Sequence, residues 1–181
     1  MGALDYLKHY TYKDYAQWEG KWELYEGFPV AMSPAPVIEH QRLAYEISRQ
    51  LGNSIEECER CMVIGEEDYK LADDTILRPD VVLICDEPHD AYITKAPEII
   101  VEVLSPSTSK NDEGYKFEKY EAEKVKYYVL VYPKELYAKV YKLKDGKYDK
   151  QGDFSKETYM FEETLCGASV NFEKVFKRFR N

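Results

Sequence analysis

Hydrophobic and polar positions along the 181-residue chain predict a mixture of strands and helices. The clearest strand lies in the apolar run Ala96 to Thr108, which contains β-branched residues and is bounded by prolines. Glu102 lies inside this run. Because a carboxylate buried among apolar side chains is costly unless a cation, a metal or hydrogen-bond donors meet it, we expect Glu102 to have a partner from elsewhere in the chain.

The first half of the chain contains the patterns of two helices and a hairpin. Alternating apolar positions on both sides of Glu26-Gly27 predict a β-hairpin over residues 22–32, with Glu23 and Tyr25 on the same face. The other elements predicted here are a short helix capped by Thr11, an amphipathic helix with the stripe His40, Leu43, Ala44, Ile47 and Leu51, and strands near Met62–Ile64 and Tyr69–Leu71. His40 therefore points inward from the first turn of its helix, where a structural role is more common than a functional one.

The second half contains further strands around one long helix. The segment Thr75 to Cys85 predicts a strand with Pro79 at its start and Asp80 just inside it. The other predicted elements are a helix over 109–124, strands over 125–132, 136–143 and 158–163, and a terminal helix over 171–179. Asp112, Lys116 and Tyr120 recur every four residues, so they share one side of the long helix.

Length and composition are consistent with one domain. With 44% hydrophobic residues and no linker-like segment, we expect a single domain over residues 1–181. Residues 1–10 do not have the pattern of a leader, and no apolar run reaches the roughly 18 residues of a membrane span, which predicts a soluble, cytoplasmic protein. Cys58 and Cys61 have the spacing of a zinc half-site, but no second such pair and no histidine pair completes it. We therefore expect four reduced thiols rather than a zinc site.

The net charge of −9 argues against binding of polyanions through the overall field. The charge is uneven, because residues 56–90 are strongly acidic and residues 110–150 contain an excess of lysine. An acidic middle could bind cations and a basic later segment could bind phosphates, although charge alone favours two ordinary solvated faces. The seventeen tyrosines could stack on bases, form a homodimer surface or pack in the core.

Asp80 and Glu102 lie in consecutive predicted strands joined by a short connection, so they could meet at one end of a sheet. Two such carboxylates suit Mg²⁺ or Mn²⁺, which bind hard oxygen ligands and substrate phosphates together. Alternatively, Asp80 is a strand-edge residue fixed by Pro79, and Glu102 is paired with a lysine. The spacing alone does not separate these interpretations.

Four segments carry a resemblance to a known family: Arg78-Pro79-Asp80-Val81-Val82, Val101-Glu102-Val103-Leu104-Ser105-Pro106-Ser107-Thr108, the set Asp112, Lys116 and Tyr120, and Lys126 to Pro133. Together they resemble the Uma-type restriction endonuclease family of the PD-(D/E)xK nuclease-like superfamily. Glu23 to Gly27, Ser33-Pro34 and His40 also fit this pattern. The resemblance runs from about Asp14 to Leu143.

The resemblance implies an α/β restriction-endonuclease-like fold, with a mixed central sheet flanked by helices, and metal-dependent hydrolysis of DNA phosphodiester bonds. It implies Mg²⁺ or Mn²⁺ bound by Asp80, Glu102 and the carbonyl of Val103, with Glu23 as an additional acidic residue. The superfamily usually has a lysine where this chain has Leu104, and the resemblance assigns that catalytic role to Lys116.

Two alternatives to this interpretation remain open at this point. Lys116 could simply pair with Asp112 one helical turn away. The whole domain could also be a catalytically weak or inactive module that binds nucleic acid or protein, because Leu104 can neither orient a water nor stabilise negative charge.

Overall fold

A computed structural model describes residues 8–32, 37–88 and 91–180, which contain twelve strands and five α-helices. The strands are β1 (Trp22–Tyr25), β2 (Phe28–Ala31), β3 (Cys61–Gly65), β4 (Tyr69–Ala72), β5 (Thr75–Leu77), β6 (Val81–Cys85), β7 (Ile99–Val103), β8 (Tyr127–Tyr132), β9 (Tyr137–Lys144), β10 (Lys147–Phe154), β11 (Thr158–Phe161) and β12 (Ala168–Asn171). The helices are α1 (Tyr12–Tyr15), α2 (Ile38–Ser54), α3 (Ser109–Glu113), α4 (Tyr115–Ala122) and α5 (Phe172–Phe176), which a 3₁₀ turn (Lys177–Phe179) follows.

The central element is a six-stranded mixed sheet with the order β10-β9-β8-β7-β6-β3. Strands β7 and β8 are parallel, and α3 and α4 form the crossover that a parallel pair requires. A second sheet has the order β2-β1-β5-β4, and β11 pairs with β12. The predicted mixed sheet with flanking helices is confirmed, and the β1–β2 hairpin turns at Glu26-Gly27 as predicted.

Strand β7 divides two apolar cores, and its alternation determines where Glu102 points. Ile99, Val101 and Val103 face a core formed with α2 and α5, whereas Ile100 and Leu104 face a core that includes Tyr120 of α4. Glu102 is on the second face, because it alternates with Val101 and Val103. This face brings α4 over the buried carboxylate.

The segment Thr75 to Cys85 forms two strands in different sheets, not the single predicted strand. Strand β5 pairs with β1 and β4, and β6 pairs with β3 and β7. Pro79 lies between them, where its missing N–H removes no ladder hydrogen bond. The break places Asp80 immediately before β6.

The helix predicted over residues 109–124 is divided at Gly114, whose backbone (φ −117°, ψ −93°) is not helical. Asp112 precedes the break and Lys116 follows it, but both side chains are buried on the same side. The predicted shared side is therefore confirmed, although the continuous helix is wrong.

Two strands and the cysteine chemistry were not predicted correctly. Strand β10 is a largely exposed edge strand without a regular apolar alternation, and β12 was assigned to no element. The structure joins Cys58 to Cys166 and Cys61 to Cys85 as disulfides, which contradicts the prediction of reduced thiols. The Ser33-Pro34 part of the sequence motif lies outside the described residues. No helix in the described ranges is long and apolar enough to cross a bilayer.

Replacement of Gly114 by alanine is expected to lower the free energy of unfolding by about 1 to 3 kcal/mol, as overpacking usually does. A Cβ atom at this position would lie 2.9 Å from the carbonyl oxygen of Lys110, which belongs to the backbone and cannot rotate away. The matched control is Gly52→Ala within α2, where the added Cβ would meet no described atom within 4 Å beyond its chain neighbours and the backbone of its own helix. It should raise the free energy of unfolding by about 0.5 to 1 kcal/mol. Urea unfolding of both variants measures the difference, and a stabilised Gly114→Ala protein would contradict it.

Candidate active site

Asp80 and Glu102 lie side by side across strands β6 and β7. The register pairs Val81 with Val101, so Asp80 and Glu102 lie opposite each other at the end of the β6–β7 ladder. The Asp80 N–H donates to Glu102 Oε2 at 3.3 Å, and the Val103 N–H donates to Asp80 Oδ2 at 2.7 Å. The backbone of each strand thus orients the carboxylate of the other.

Lys116 is the cation that meets Glu102. Its Nζ lies 3.0 Å from Glu102 Oε1, 2.9 Å from Glu23 Oε1 and 3.4 Å from Asp112 Oδ1. Burial lowers the pKa of Lys116, but the three carboxylates outweigh burial and hold the pKa well above its ordinary value. Lys116 therefore stays an ammonium group, which can donate hydrogen bonds and stabilise negative charge but cannot accept a proton.

Leu104 occupies the position where the superfamily that the sequence resembles usually has a lysine. Its side chain belongs to the apolar core on the α4 side of the sheet and is only 7% exposed. An ammonium group at this position would have to replace apolar contacts in that core. Lys116 instead approaches from α4 and brings its charge directly to the carboxylate of Glu102.

The surroundings of Glu102 favour an additional cation. Burial raises its pKa well above the ordinary value, the charges of Asp112, Asp80 and Glu23 add to this effect, and Lys116 opposes it. Burial likewise raises the pKa of Asp112. Three carboxylates thus share Lys116, and Asp80 lies beside Glu102 as a fourth, an excess of negative charge that a divalent ion would offset.

Glu23 enters the site from the β1–β2 hairpin. Its Oε2 accepts a hydrogen bond from the Tyr25 hydroxyl at 2.7 Å, and its Oε1 accepts one from the Arg78 N–H at 2.8 Å. The alternation that places Glu23 and Tyr25 on one face is therefore confirmed. Both oxygens of Glu23 thus accept hydrogen bonds from this protein, and the buried carboxylate also pairs with Lys116.

His40 and Tyr120 also contact the carboxylates. His40 Nε2 lies 3.1 Å from Asp80 Oδ2, and the Tyr120 hydroxyl donates to Glu102 Oε1 at 3.2 Å. Burial lowers the pKa of His40, but the hydrogen bond and charge of Asp80, the charge of Glu66 and the Val103 backbone raise it above its ordinary value. The sequence placed His40 and Tyr120 on inward faces but gave neither a role. The contact between His40 and Asp80 depends on the fold, so the sequence alone did not connect His40 with the site.

The donor set fits Mg²⁺ or Mn²⁺. Asp80 and Glu102 provide carboxylate oxygens at neighbouring positions, and Val103, whose N–H is bound to Asp80, follows directly in the strand. Hard oxygen donors with excess negative charge are what these ions require. Asp112 Oδ1 is buried without a hydrogen bond in the described structure, although it lies 3.4 Å from Lys116 Nζ.

The site opens into a cleft between the β1–β2 hairpin, the start of α2 and the loop that follows β7. Lys21 and Arg78 lie along its lining on one side, and Ser105 and Asn111 lie on the other. The lining thus combines cationic, hydroxyl and amide groups with the carboxylates of the site.

Comparisons with known proteins match this chain to a solved structure and to a protein family. A crystal structure described as "a putative nuclease belonging to DUF820", from Anabaena variabilis ATCC 29413, superimposes with a TM-score of 0.72 at 16% sequence identity, covering 93% of this chain and 98% of that one. The Uma2 family, described as "Putative restriction endonuclease", matches residues 12–173, so this chain belongs to the Uma2 family. A comparison with curated proteins gives no match.

Proposed function

We propose that this protein is a divalent-metal-dependent nuclease that hydrolyses phosphodiester bonds of DNA. The observation that carries the proposal is the contact between Lys116 Nζ and Glu102 Oε1 at 3.0 Å, beside the Asp80–Glu102 pair. Two acidic residues and a lysine are the chemical set of the superfamily that the sequence resembles. Here the lysine comes from α4, which compensates for the leucine at position 104. Membership of a family described as restriction endonucleases supports the same activity.

Asp80, Glu102 and the Val103 carbonyl are the groups that would hold Mg²⁺ or Mn²⁺. When bound, such an ion supplies Lewis-acid chemistry: it lowers the pKa of a water nucleophile and offsets the negative charge that develops on the phosphate. The backbone hydrogen bonds from Asp80 and Val103 fix the two carboxylates in place. This preorganisation avoids reorganising the site when the substrate arrives.

Lys116 acts as a fixed positive charge in this proposal. Because its pKa is raised, it does not take the proton of the attacking water but stabilises the extra negative charge of the transition state. Tyr120 and Glu23 hold the ammonium and Glu102 in their relative positions.

DNA recognition would depend on the cleft rather than on the net charge. The chain carries −9 overall, so nonspecific attraction to phosphates is weak. Lys21 and Arg78 line this cleft, where Lys21 pairs with Glu66 and Arg78 Nε lies 3.7 Å from Asp68 Oδ1. Because so few cations are available to neutralise phosphates, binding is expected to weaken only gradually as the salt concentration rises.

Cleavage of DNA is expected with Mg²⁺ or Mn²⁺, much more slowly with Ca²⁺, and not at all with EDTA. Ca²⁺ accepts a looser coordination and activates water less effectively. The measurement uses labelled single- and double-stranded DNA, supercoiled plasmid and RNA of matched sequence, with excess enzyme so that product release does not limit the rate.

Efficient cleavage in EDTA would contradict the metal mechanism. If no substrate is cut, and millimolar Mg²⁺ or Mn²⁺ also fails to raise the melting temperature, the chain is better described as a non-catalytic module with a nuclease fold. A ligand that binds only the native state must stabilise it.

A further inference from the structure

The four cysteines of the chain converge at one place, away from the candidate active site. Cys58 and Cys61 lie at the turn between α2 and β3, Cys85 ends β6, and Cys166 lies in the turn between β11 and β12. Strand pairing places Cys61 directly opposite Cys85. Besides the two disulfide partnerships, Cys61 Sγ lies 2.9 Å from Cys166 Sγ, so the two pairs are in contact with each other.

We propose that in the reduced protein these four cysteines form a structural zinc site, in which all four sulfurs bind the ion as thiolates. The sulfurs of Cys58, Cys61 and Cys166 lie within 4.8 Å of one another, and that of Cys85 is joined to Cys61. Around a tetrahedral zinc ion with Zn–S distances of 2.3 Å, sulfur atoms are about 3.8 Å apart. Reduction of the two disulfides by a thiol reductant, which supplies four electrons and four protons and is itself oxidised to disulfide, would give four thiols. Small side-chain rotations would then place their sulfurs around one zinc ion.

The local sequence also suits zinc better than a pair of unrelated disulfides. Cys58 and Cys61 have the two-residue spacing of a zinc half-site, and the Cys61 N–H lies 3.5 Å from the Cys58 carbonyl oxygen in a tight turn. Sequence spacing alone disfavours zinc, because the chain has neither a second short-spaced cysteine pair nor a histidine pair. The other two ligands are instead supplied by the sheet and by a distant turn.

Charge and burial are compatible with a closed site. Cys61 and Cys85 are 8% and 5% exposed and belong to the main apolar core, which leaves no room for a substrate there. Lys95 Nζ donates to the Cys85 carbonyl at 3.0 Å and brings a positive charge beside a cluster that would carry a net charge of −2. Binding would be balanced by release of protons: four thiols and one Zn²⁺ give the tetrathiolate and four protons.

The site would connect parts of the chain that are far apart in sequence. It joins the end of α2 and strand β6 to the β11–β12 hairpin, which packs on α2 through the bond from the Ser169 N–H to Ser54 Oγ at 3.0 Å. Cys85 lies five residues after Asp80 along a strand, a separation of about 17 Å. The zinc would thus stabilise the fold without taking part in hydrolysis, and the inference does not depend on the proposed nuclease function.

The test is the metal and thiol content of the whole protein, made in zinc-supplied cells and purified with the reductant TCEP. We expect one zinc ion per chain by elemental analysis and four thiols after denaturation. The zinc chelator TPEN should remove the ion and lower the melting temperature by about 10 °C or more, whereas TCEP alone should not lower it. Zinc below about one tenth of an equivalent would overturn the proposal, as would a melting temperature that falls with TCEP and ignores TPEN.

Replacement of Cys166 by another zinc ligand distinguishes zinc binding from disulfide formation. The test compares two variants, so it does not depend on the stability of either one. A histidine at position 166 can still complete a zinc site with the three remaining thiolates, but it cannot form the disulfide with Cys58. We expect Cys166→His to retain close to one zinc per chain and Cys166→Ala to lose most of it under the same chelator challenge. Cobalt added to the metal-free protein should give the visible bands of a tetrahedral thiolate site. Equal zinc loss in both Cys166 variants, together with no cobalt bands in the wild type, would overturn the assignment.

Discussion

Glu102→Gln is expected to reduce metal-dependent DNA cleavage by about 10³-fold or more. The amide keeps the size of the side chain and can still accept a hydrogen bond from Lys116 or Tyr120, but it lacks the charge needed to bind the ion. The rate should be measured by single-turnover cleavage at several Mg²⁺ concentrations, because lost metal affinity and lost chemistry respond differently to added metal.

Glu102→Gln should keep the fold, with a free energy of unfolding equal to or above that of the wild type. Burial and three neighbouring carboxylates already raise the pKa of Glu102, so removing its charge relieves repulsion in the metal-free protein. Glu98→Gln is the matched control: Glu98 precedes the same strand and pairs with Lys126 at 2.8 Å, outside the candidate site. Cleavage by Glu102→Gln at the rate of the Glu98→Gln protein would remove Glu102 from the mechanism.

Local patterns predicted most elements because each depends on neighbours in sequence. The apolar stripe of α2 and the alternation around Glu26-Gly27 both gave the right element. The buried strand around Glu102 was equally visible, since its five consecutive buried residues are all apolar except Glu102. These signals involve periodicity and turn chemistry, which a single sequence contains.

The errors occurred where distant parts of the fold determine local structure. The apolar residues on both sides of Pro79 look like one strand, but they belong to two sheets, and only sheet assembly separates them. The polar composition of β10 is acceptable because the strand pairs on one side only, with β9. Gly114 breaks a helix that the pattern on both sides favours.

The candidate site was partly predictable for the same reason. Asp80 and Glu102 are close to each other in sequence and lie on neighbouring strands, so their meeting could be expected. The contact between Glu23 and Lys116 joins β1 to α4 across almost a hundred residues, and only the resemblance to a family brought them together. The cysteine cluster shows the limit of spacing arguments, because Cys166 reaches it from more than a hundred residues away.

Lys116→Met is expected to slow cleavage by about 10²-fold or more and to lower the free energy of unfolding by about 3 to 5 kcal/mol. Removal of the ammonium leaves Glu23, Glu102 and Asp112 buried without their shared cation. Because the site becomes more negative, Mg²⁺ should raise the melting temperature of this variant by more than it raises that of the wild type. Thermal unfolding with and without Mg²⁺, beside single-turnover cleavage, measures both effects.

Lys119→Met is the control, since Lys119 pairs with the exposed Glu26 at the surface and should change stability by less than about 1 kcal/mol. A second variant separates structure from catalysis. In the double variant Lys116→Met with Glu23→Gln, one unpaired carboxylate is removed, so part of the lost stability should return. If Lys116 stabilises the transition state, cleavage stays low in this more stable protein. If cleavage returns with stability, Lys116 only compensates buried charge, and the fixed cation of the proposed mechanism must be sought elsewhere in the cleft.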